Sequence, residues 1–241
     1  MRGWVFLFLL IWGLPVAASE LPGEGPLADP ACIACHLETT TAWRSGPHGT
    51  APEAGCVACH GETHIAAGSR ARRSKTCTDC HGGKKGATAR SYRTSKHGVI
   101  ETLEGADWDW SGRLADANYR APTCAYCHMQ DGAHGRMLSV EVLETSCLDC
   151  HSPRYVETLL AAGARMIAIG DLKLAEAAAA TGAKPEPGIA RMLETMQTTT
   201  LRNLRLGVGH QSPDYQWWYG HAALDGDLLR IKSALSQRAR R

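Results

Sequence analysis

The ten cysteines of the chain fall into five pairs of identical spacing, and a histidine follows every pair. Two thiols at this spacing can add to the two vinyl groups along one porphyrin edge, and the next residue can then offer an imidazole to the iron. Disulfides, zinc sites and thiol redox motifs also use cysteine pairs, but none of them explains a histidine after each pair. The pattern therefore predicts five covalently attached c-type haems. The five motifs are Cys32-Ile33-Ala34-Cys35-His36, Cys56-Val57-Ala58-Cys59-His60, Cys77-Thr78-Asp79-Cys80-His81, Cys124-Ala125-Tyr126-Cys127-His128 and Cys147-Leu148-Asp149-Cys150-His151.

Six histidines remain once the five proximal ligands are assigned, and they are candidates for the sixth position on each iron. A second histidine gives a low-spin centre suited to electron transfer, whereas an open position admits a substrate. Three of the six precede a glycine in a short polar loop, and these are His48, His97 and His134. We predict these three and His210, near the end of a helical segment, as distal ligands. His64, directly after the second motif, and His221, beside Trp218, have weaker local support, and His221 is retained as a weak candidate ligand.

The elements that position these residues are predicted to be helices. Successive proximal histidines are 24, 21, 47 and 23 residues apart, which leaves room for short helices and loops, and no sustained alternating strand pattern is present. After His151 the sequence becomes rich in alanine and leucine, with helical patterns over 154–181, 189–206 and 215–238. We expect a mostly α fold: a lead-in at 19–31, a haem-binding region at 32–153, and an antiparallel bundle of long helices within 154–241. The bundle either only packs on the haems or also forms an oligomer interface and supplies a ligand.

The first 18 residues have the organisation of an export signal. Arg2 precedes an apolar run over 4–14, and the small residues Val16, Ala17 and Ala18 form a cleavage site. The run is too short to cross a bilayer comfortably, although an uncleaved N-terminal anchor is the alternative. We predict cleavage after Ala18 and a periplasmic protein without a membrane span.

Composition limits the partners and suggests what fills the interior. The net charge of +2 gives no reason to expect nucleic-acid binding. The only two phenylalanines lie in the predicted signal, so the mature chain has none. Porphyrin rings would replace the aromatic side chains that an ordinary core of this size contains.

Several strings resemble the hydroxylamine oxidoreductase family of multihaem cytochromes. They are Ser95-Lys96-His97-Gly98, the stretch Tyr119-Arg120-Ala121-Pro122-Thr123-Cys124-Ala125-Tyr126-Cys127-His128-Met129, the segment 147–154 and the tail 214–229. The likeness covers most of residues 30–235. Family members usually carry eight haems, and this chain resembles a member shortened by three N-terminal haems.

This resemblance implies an enzyme. The first motif falls where the family keeps a catalytic haem with an open distal face, and the pocket histidine and tyrosine would be His64 and Tyr119. In oxidative members a tyrosine of a neighbouring subunit is cross-linked to that haem, and Tyr215 and Tyr219 are the candidate counterparts of this tyrosine. The implied activity is oxidation of hydroxylamine, or reduction of nitrite or hydroxylamine, with electrons relayed through haems two to five to a cytochrome or a quinone-linked protein. The resemblance also implies a homotrimer. A non-catalytic electron-transfer cytochrome, with every haem held by two histidines, is the alternative.

Overall fold

The structure, a computed structural model, describes residues 29–65, 67–112, 118–135 and 139–240. Every regular element in these ranges is helical and none is a strand, which confirms the mostly α prediction. The predicted export signal and all but the last three residues of the lead-in lie outside the described residues. Among the described residues, no helix has both the length and the apolar character needed to cross a membrane.

The haem-binding region consists of short helices joined by tight turns. Each cysteine pair lies on one helical turn or at its end, because residues three apart on a helix share a face. The helices are α1 (Asp29–Cys35), α2 (Leu37–Ser45), α3 (Cys56–His60), α4 (Ala67–Ala71), α5 (Ser74–Thr78), α6 (Ala87–Arg93), α7 (Lys96–Glu104), α8 (Cys124–His128) and α9 (Val140–Leu148), with 3₁₀ turns at Pro52–Ala54, Gly83–Lys85 and Gln130–Gly132.

The C-terminal region contains the longest helices. The three predicted helical segments are present, and the second and third each contain one π-helical turn. The elements are α10 (Pro153–Thr181), α11 (Pro187–Thr195), a π turn (Met196–Thr200), α12 (Leu201–Gly209), α13 (Pro213–Tyr215), a π turn (Gln216–His221) and α14 (Ala222–Arg238). Proline at the first position of α10 and a glycine with φ 69° after its last residue set the two ends of that helix.

Glycines on α10 allow its close packing against α12. A Cβ at Gly163 would lie 2.7 Å from Val208, and one at Gly170 would lie 2.5 Å from Leu204. The contacts move back along α12 as they advance along α10, so the two helices run in opposite directions. The core between these helices and α14 is apolar, and its fully buried side chains include Met196, Leu204, Leu224 and Ile231.

A second, smaller core lies in the haem-binding region. Trp108 and Trp110 are buried there with Ala121, and Ile100 and Tyr119 pack against them. The guanidinium of Arg73 lies 4.6 Å above the Trp110 ring. This cluster fixes the long segment between the third and fourth motifs against α7.

Candidate haem centres

All ten motif cysteines are free thiols in the structure, and none forms a disulfide. Each of these residues is at least partly exposed. This arrangement does not favour a disulfide framework. It leaves both thiols of every motif available for attachment to a porphyrin.

Four of the five proximal histidines face a second histidine across a gap of nearly constant size. The ring centroids are separated by 6.2 Å for His36 and His64, 6.0 Å for His81 and His48, 5.8 Å for His60 and His134, and 6.2 Å for His151 and His97. No pair is close enough for a direct hydrogen-bonded contact to explain the spacing.

The gap has the width that one metal ion between two imidazoles requires. A metal–imidazole bond is about 2 Å long and the nitrogen lies about 1 Å from the ring centre, so two trans histidines on one iron have centroids about 6 Å apart. The residues present therefore fit a haem iron held from both sides. The separations above match this value to within a few tenths of an ångström.

The fifth proximal histidine, His128, lies near His210. Burial, together with a smaller effect of the nearby His128 imidazole, lowers the pKa of His210 to about 4. His210 follows α12 and thus comes from the C-terminal region, while His128 ends α8. The bundle therefore does more than cover the haem-binding region, because it also places a histidine beside the fourth motif.

Hydrogen bonds to Nδ1 orient three of these rings. The Nδ1–H of His60 donates to the carbonyl of Ala67 at 3.1 Å, and that of His134 donates to Gly132 at 2.7 Å. A carbonyl can only accept, so Nδ1 must carry the proton and Nε2 is left as the metal-binding nitrogen. For His210 the partner at 2.7 Å is the hydroxyl of Ser91, which itself donates to the Thr88 carbonyl and so accepts from the ring.

The glycine after each of three candidate distal histidines is required by close backbone packing. A Cβ would lie 2.1 Å from the Arg44 carbonyl oxygen at Gly49, 2.2 Å from the Tyr92 carbonyl oxygen at Gly98, and 2.7 Å from the Ala42 carbonyl oxygen at Gly135. Only a residue without a side chain permits these approaches. The His-Gly pattern seen in the sequence thus has a structural reason, since the glycine brings the neighbouring histidine close to its haem motif.

The two residues proposed for a catalytic pocket occupy different surroundings. His64 faces His36, whereas the Tyr119 ring contacts Trp108 at 5.2 Å and Trp110 at 5.1 Å. Among the described residues, the Tyr119 ring makes no ring contact with His36 or His64. The Tyr119 hydroxyl is buried and has no hydrogen-bond partner in the described part of the chain, and burial raises its pKa.

His221 lies within the C-terminal bundle. Its side chain is buried, and Nε2 has no hydrogen-bond partner among the described residues. Burial lowers the pKa of His221, and the neighbouring charge of Lys173 lowers it further while Asp225 opposes the shift. Its charged neighbours are thus bundle residues, in contrast to the histidines that face a proximal ligand.

The motifs approach one another in chain order. The close approach of the Cys77 and Cys124 thiols raises the pKa of Cys77 and lowers that of Cys124. Burial raises the pKa of thiols at three further junctions, and a thiol of the adjacent motif adds to the effect. These are Cys56 with Cys32 (after the larger effect of Asp29), Cys59 with Cys80, and Cys127 with Cys147. Successive motifs therefore lie close together, in a row that runs from the first motif to the fifth.

An open cavity between α6 and α7 has both an apolar wall and positively charged side chains, which are the features that the edge of a porphyrin would require. Its apolar lining includes Val99 and Leu103, both exposed, and its charged lining consists of Arg90 and Arg93. An apolar wall suits the ring, and guanidinium groups suit propionates. Sequence reasoning missed these arginines and Ser91, because nothing in their local sequence distinguishes them from surface residues.

Comparison with known proteins gives matches at three levels. Residues 48–143 match the family described as seven times multi-haem cytochrome CxxCH. A probable nitrite reductase-hydroxylamine oxidoreductase fusion protein of Kuenenia stuttgartiensis is 35% identical over 98 residues, which are 39% of this chain and 12% of that protein. The chain thus spans about an eighth of the length of this curated relative.

Solved structures share the fold. A reducing HAO-like protein complex of Kuenenia stuttgartiensis matches with a TM-score of 0.64 and 18% identity, covering 87% of this chain and 71% of that one. A hypothetical multiheme protein matches with a TM-score of 0.60 and 16% identity, covering 77% and 59% of the two chains. The resemblance inferred from the motifs is thereby confirmed: the chain is similar to multihaem CxxCH cytochromes and to hydroxylamine oxidoreductase-like proteins.

Proposed function

We propose that this chain is a pentahaem c-type cytochrome that transfers electrons, with each iron held between two histidines. The observation that carries the proposal is the 6.2 Å separation of the His36 and His64 ring centroids, which falls with the 5.8, 6.0 and 6.2 Å of the other measured pairs. An open catalytic haem would need the distal side of His36 to be free of a second imidazole. With His64 as a ligand, the first site is closed like the other four.

The arrangement suits electron relay. Bound haem supplies reversible one-electron chemistry, and the protein sets its position and surroundings. The chain holds the five sites in one row, and side chains far apart in sequence fix each site. Two imidazoles keep the ligand set unchanged between oxidation states, which keeps structural rearrangement during electron transfer small.

A second candidate function is nitrogen-compound oxidoreduction at the first site. It is favoured by the similarity to a protein whose name includes nitrite reductase and hydroxylamine oxidoreductase, and by the buried, unpartnered hydroxyl of Tyr119. In this function hydroxylamine or nitrite would occupy the first site after His64 moves aside. His64 would exchange protons with it. The Tyr119 hydroxyl would donate a hydrogen bond only after moving toward His36, because its ring contacts are with Trp108 and Trp110.

The setting and partners follow from the same proposal. An exported protein of this type would exchange electrons with another cytochrome or a quinone-linked protein in the periplasm. We also propose a homotrimer, for which the exposed Trp217 and Trp218 in the second π turn provide an apolar contact surface.

Electron paramagnetic resonance of the oxidised holoprotein, with and without hydroxylamine, distinguishes the two functions. The electron-transfer function predicts five low-spin centres and no response to hydroxylamine. A high-spin ferric signal that hydroxylamine perturbs would instead establish an open first site. Haem content per chain, measured on the same sample, tests the count, and a value below five would contradict the pentahaem proposal.

A further inference from the structure

One carboxylate lies at the junction of the third and fourth motifs. Glu101, on α7, accepts hydrogen bonds from the Tyr92 hydroxyl at 2.7 Å, the Ser74 hydroxyl at 2.7 Å and the Ser74 amide at 3.2 Å. The Tyr92 hydroxyl also lies 2.8 Å from the Pro122 carbonyl oxygen, but a phenol has one proton and the charged oxygen is the stronger acceptor. Among the described residues, no lysine or arginine forms an ion pair with Glu101.

The hydrogen bonds connect this carboxylate directly to both attachment sites. Ser74 begins α5, which carries Cys77 of the third motif, and the Ser74 hydroxyl accepts the amide N–H of Cys124 at 3.1 Å. Cys124 opens the fourth motif. Ser74 and Tyr92 are buried, whereas Glu101 is partly buried, so the donors to the carboxylate are largely removed from solvent. One serine therefore separates Glu101 from the segments that attach two successive haems.

The same network reaches the distal side of the fourth site. The Tyr92 ring packs edge-on against His210, with ring centroids 6.0 Å apart. A negative charge at this place lies near the attachment segment and the candidate distal histidine of the fourth motif, and beside the third motif. Neither haem ligation nor helix formation requires a carboxylate there, because a neutral amide of the same shape could make several of the same contacts.

We propose that Glu101 is a positioning and tuning residue that lowers the reduction potentials of the third and fourth haems relative to the rest of the row. A nearby negative charge stabilises the ferric state, which carries one more positive charge than the ferrous state. Partial burial and the lack of a cationic partner leave this charge poorly screened. At an effective dielectric constant of about 20, a unit charge about 10 Å away changes a reduction equilibrium roughly tenfold. The inference rests on haem attachment at these two motifs, as proposed above, and holds for either candidate function.

The test is a spectroelectrochemical titration of the five-haem holoprotein and of Glu101→Gln. We expect the substitution to raise one or two of the five potentials by about 59 mV, the one-electron equivalent of a tenfold change. Glu101→Asp keeps the charge and should restore most of the shift. Glu104→Gln is the matched control, because Glu104 lies on the same helix but is paired with Arg120 at 2.8 Å, and it should leave all five potentials nearly unchanged.

Tyr92→Phe provides a second readout should Glu101→Gln not assemble. Phenylalanine keeps the ring against His210 and removes one donor to the carboxylate, so the remaining charge is less compensated and the potentials should fall. Five unchanged potentials in Glu101→Gln, or a uniform shift of all five, would overturn the inference. A haem content below five in the wild-type protein would instead contradict the proposed pentahaem function, and absence of the haem at the third or fourth motif would overturn the inference as well.

Discussion

Removal of the His64 imidazole gives the sharpest test of the site geometry. His64 faces His36 at 6.2 Å, and each of the other proximal histidines has a candidate partner of its own. In His64→Ala only one of five irons loses a ligand. We therefore expect one fifth of the total iron to change from low spin to high spin. The fold should persist, because His64 is exposed and lies in a short segment between α3 and α4.

The assay is quantitative paramagnetic resonance of the oxidised protein, before and after addition of imidazole. Free imidazole fits the gap left by the side chain, so it should return the new high-spin signal to low spin. His221→Ala is the matched control, since it also removes one histidine, but from the C-terminal bundle. We expect it to change none of the five centres.

The reasoning would be refuted by a wild-type protein that already contains one-fifth high-spin iron and that His64→Ala leaves unchanged. His64 would then not be a ligand, and the pocket role that the family resemblance implies would be the better assignment. A new high-spin signal in His221→Ala would equally contradict the pairing.

Three further predictions concern stability and ligand orientation. Leu204→Ala should lower the free energy of unfolding by about 3 kcal/mol in guanidinium titrations, because Leu204 is fully buried, whereas the exposed Leu229→Ala should change it by less than about 0.5 kcal/mol. Ser91→Ala removes the acceptor for Nδ1–H of His210, which should raise the potential of one haem and shift its low-spin g values; unchanged spectra would show that this hydrogen bond does not orient the ligand. His221→Leu removes a buried, unpaired nitrogen and should raise stability by about 1 kcal/mol at pH 7. Burial holds the folded pKa of His221 below its ordinary value of about 6.5, so the unfolded chain binds a proton more readily than the folded chain as the pH falls below that value. The free energy of unfolding therefore decreases, and the wild-type melting temperature should fall more than that of His221→Leu between pH 7 and pH 5.

The features that depend on local sequence could be predicted without a structure. A C-x-x-C-H unit places two thiols on one helical turn and an imidazole beside them, so the predicted attachment sites needed nothing beyond five consecutive residues. The long C-terminal helices were equally accessible, because alanine- and leucine-rich segments with a 3.6-residue period end at glycine or proline. The π turns at Met196–Thr200 and Gln216–His221 were not predicted, since they leave the helical pattern almost unchanged.

The pairing of the histidines was decided by the tertiary structure. His134 faces His60 across 74 residues of sequence, and His48 faces His81 although His36 and His60 are nearer along the chain. Local context also ranked His64 and His221 together, yet one faces a proximal histidine and the other is buried in the bundle. The facing histidine pairs, like the Glu101 network, are set by where helices from distant segments pack. The sequence by itself therefore determined how many haems to expect and where each would be attached, whereas only the packed chain determined which imidazole could reach each iron and which charge lies beside it.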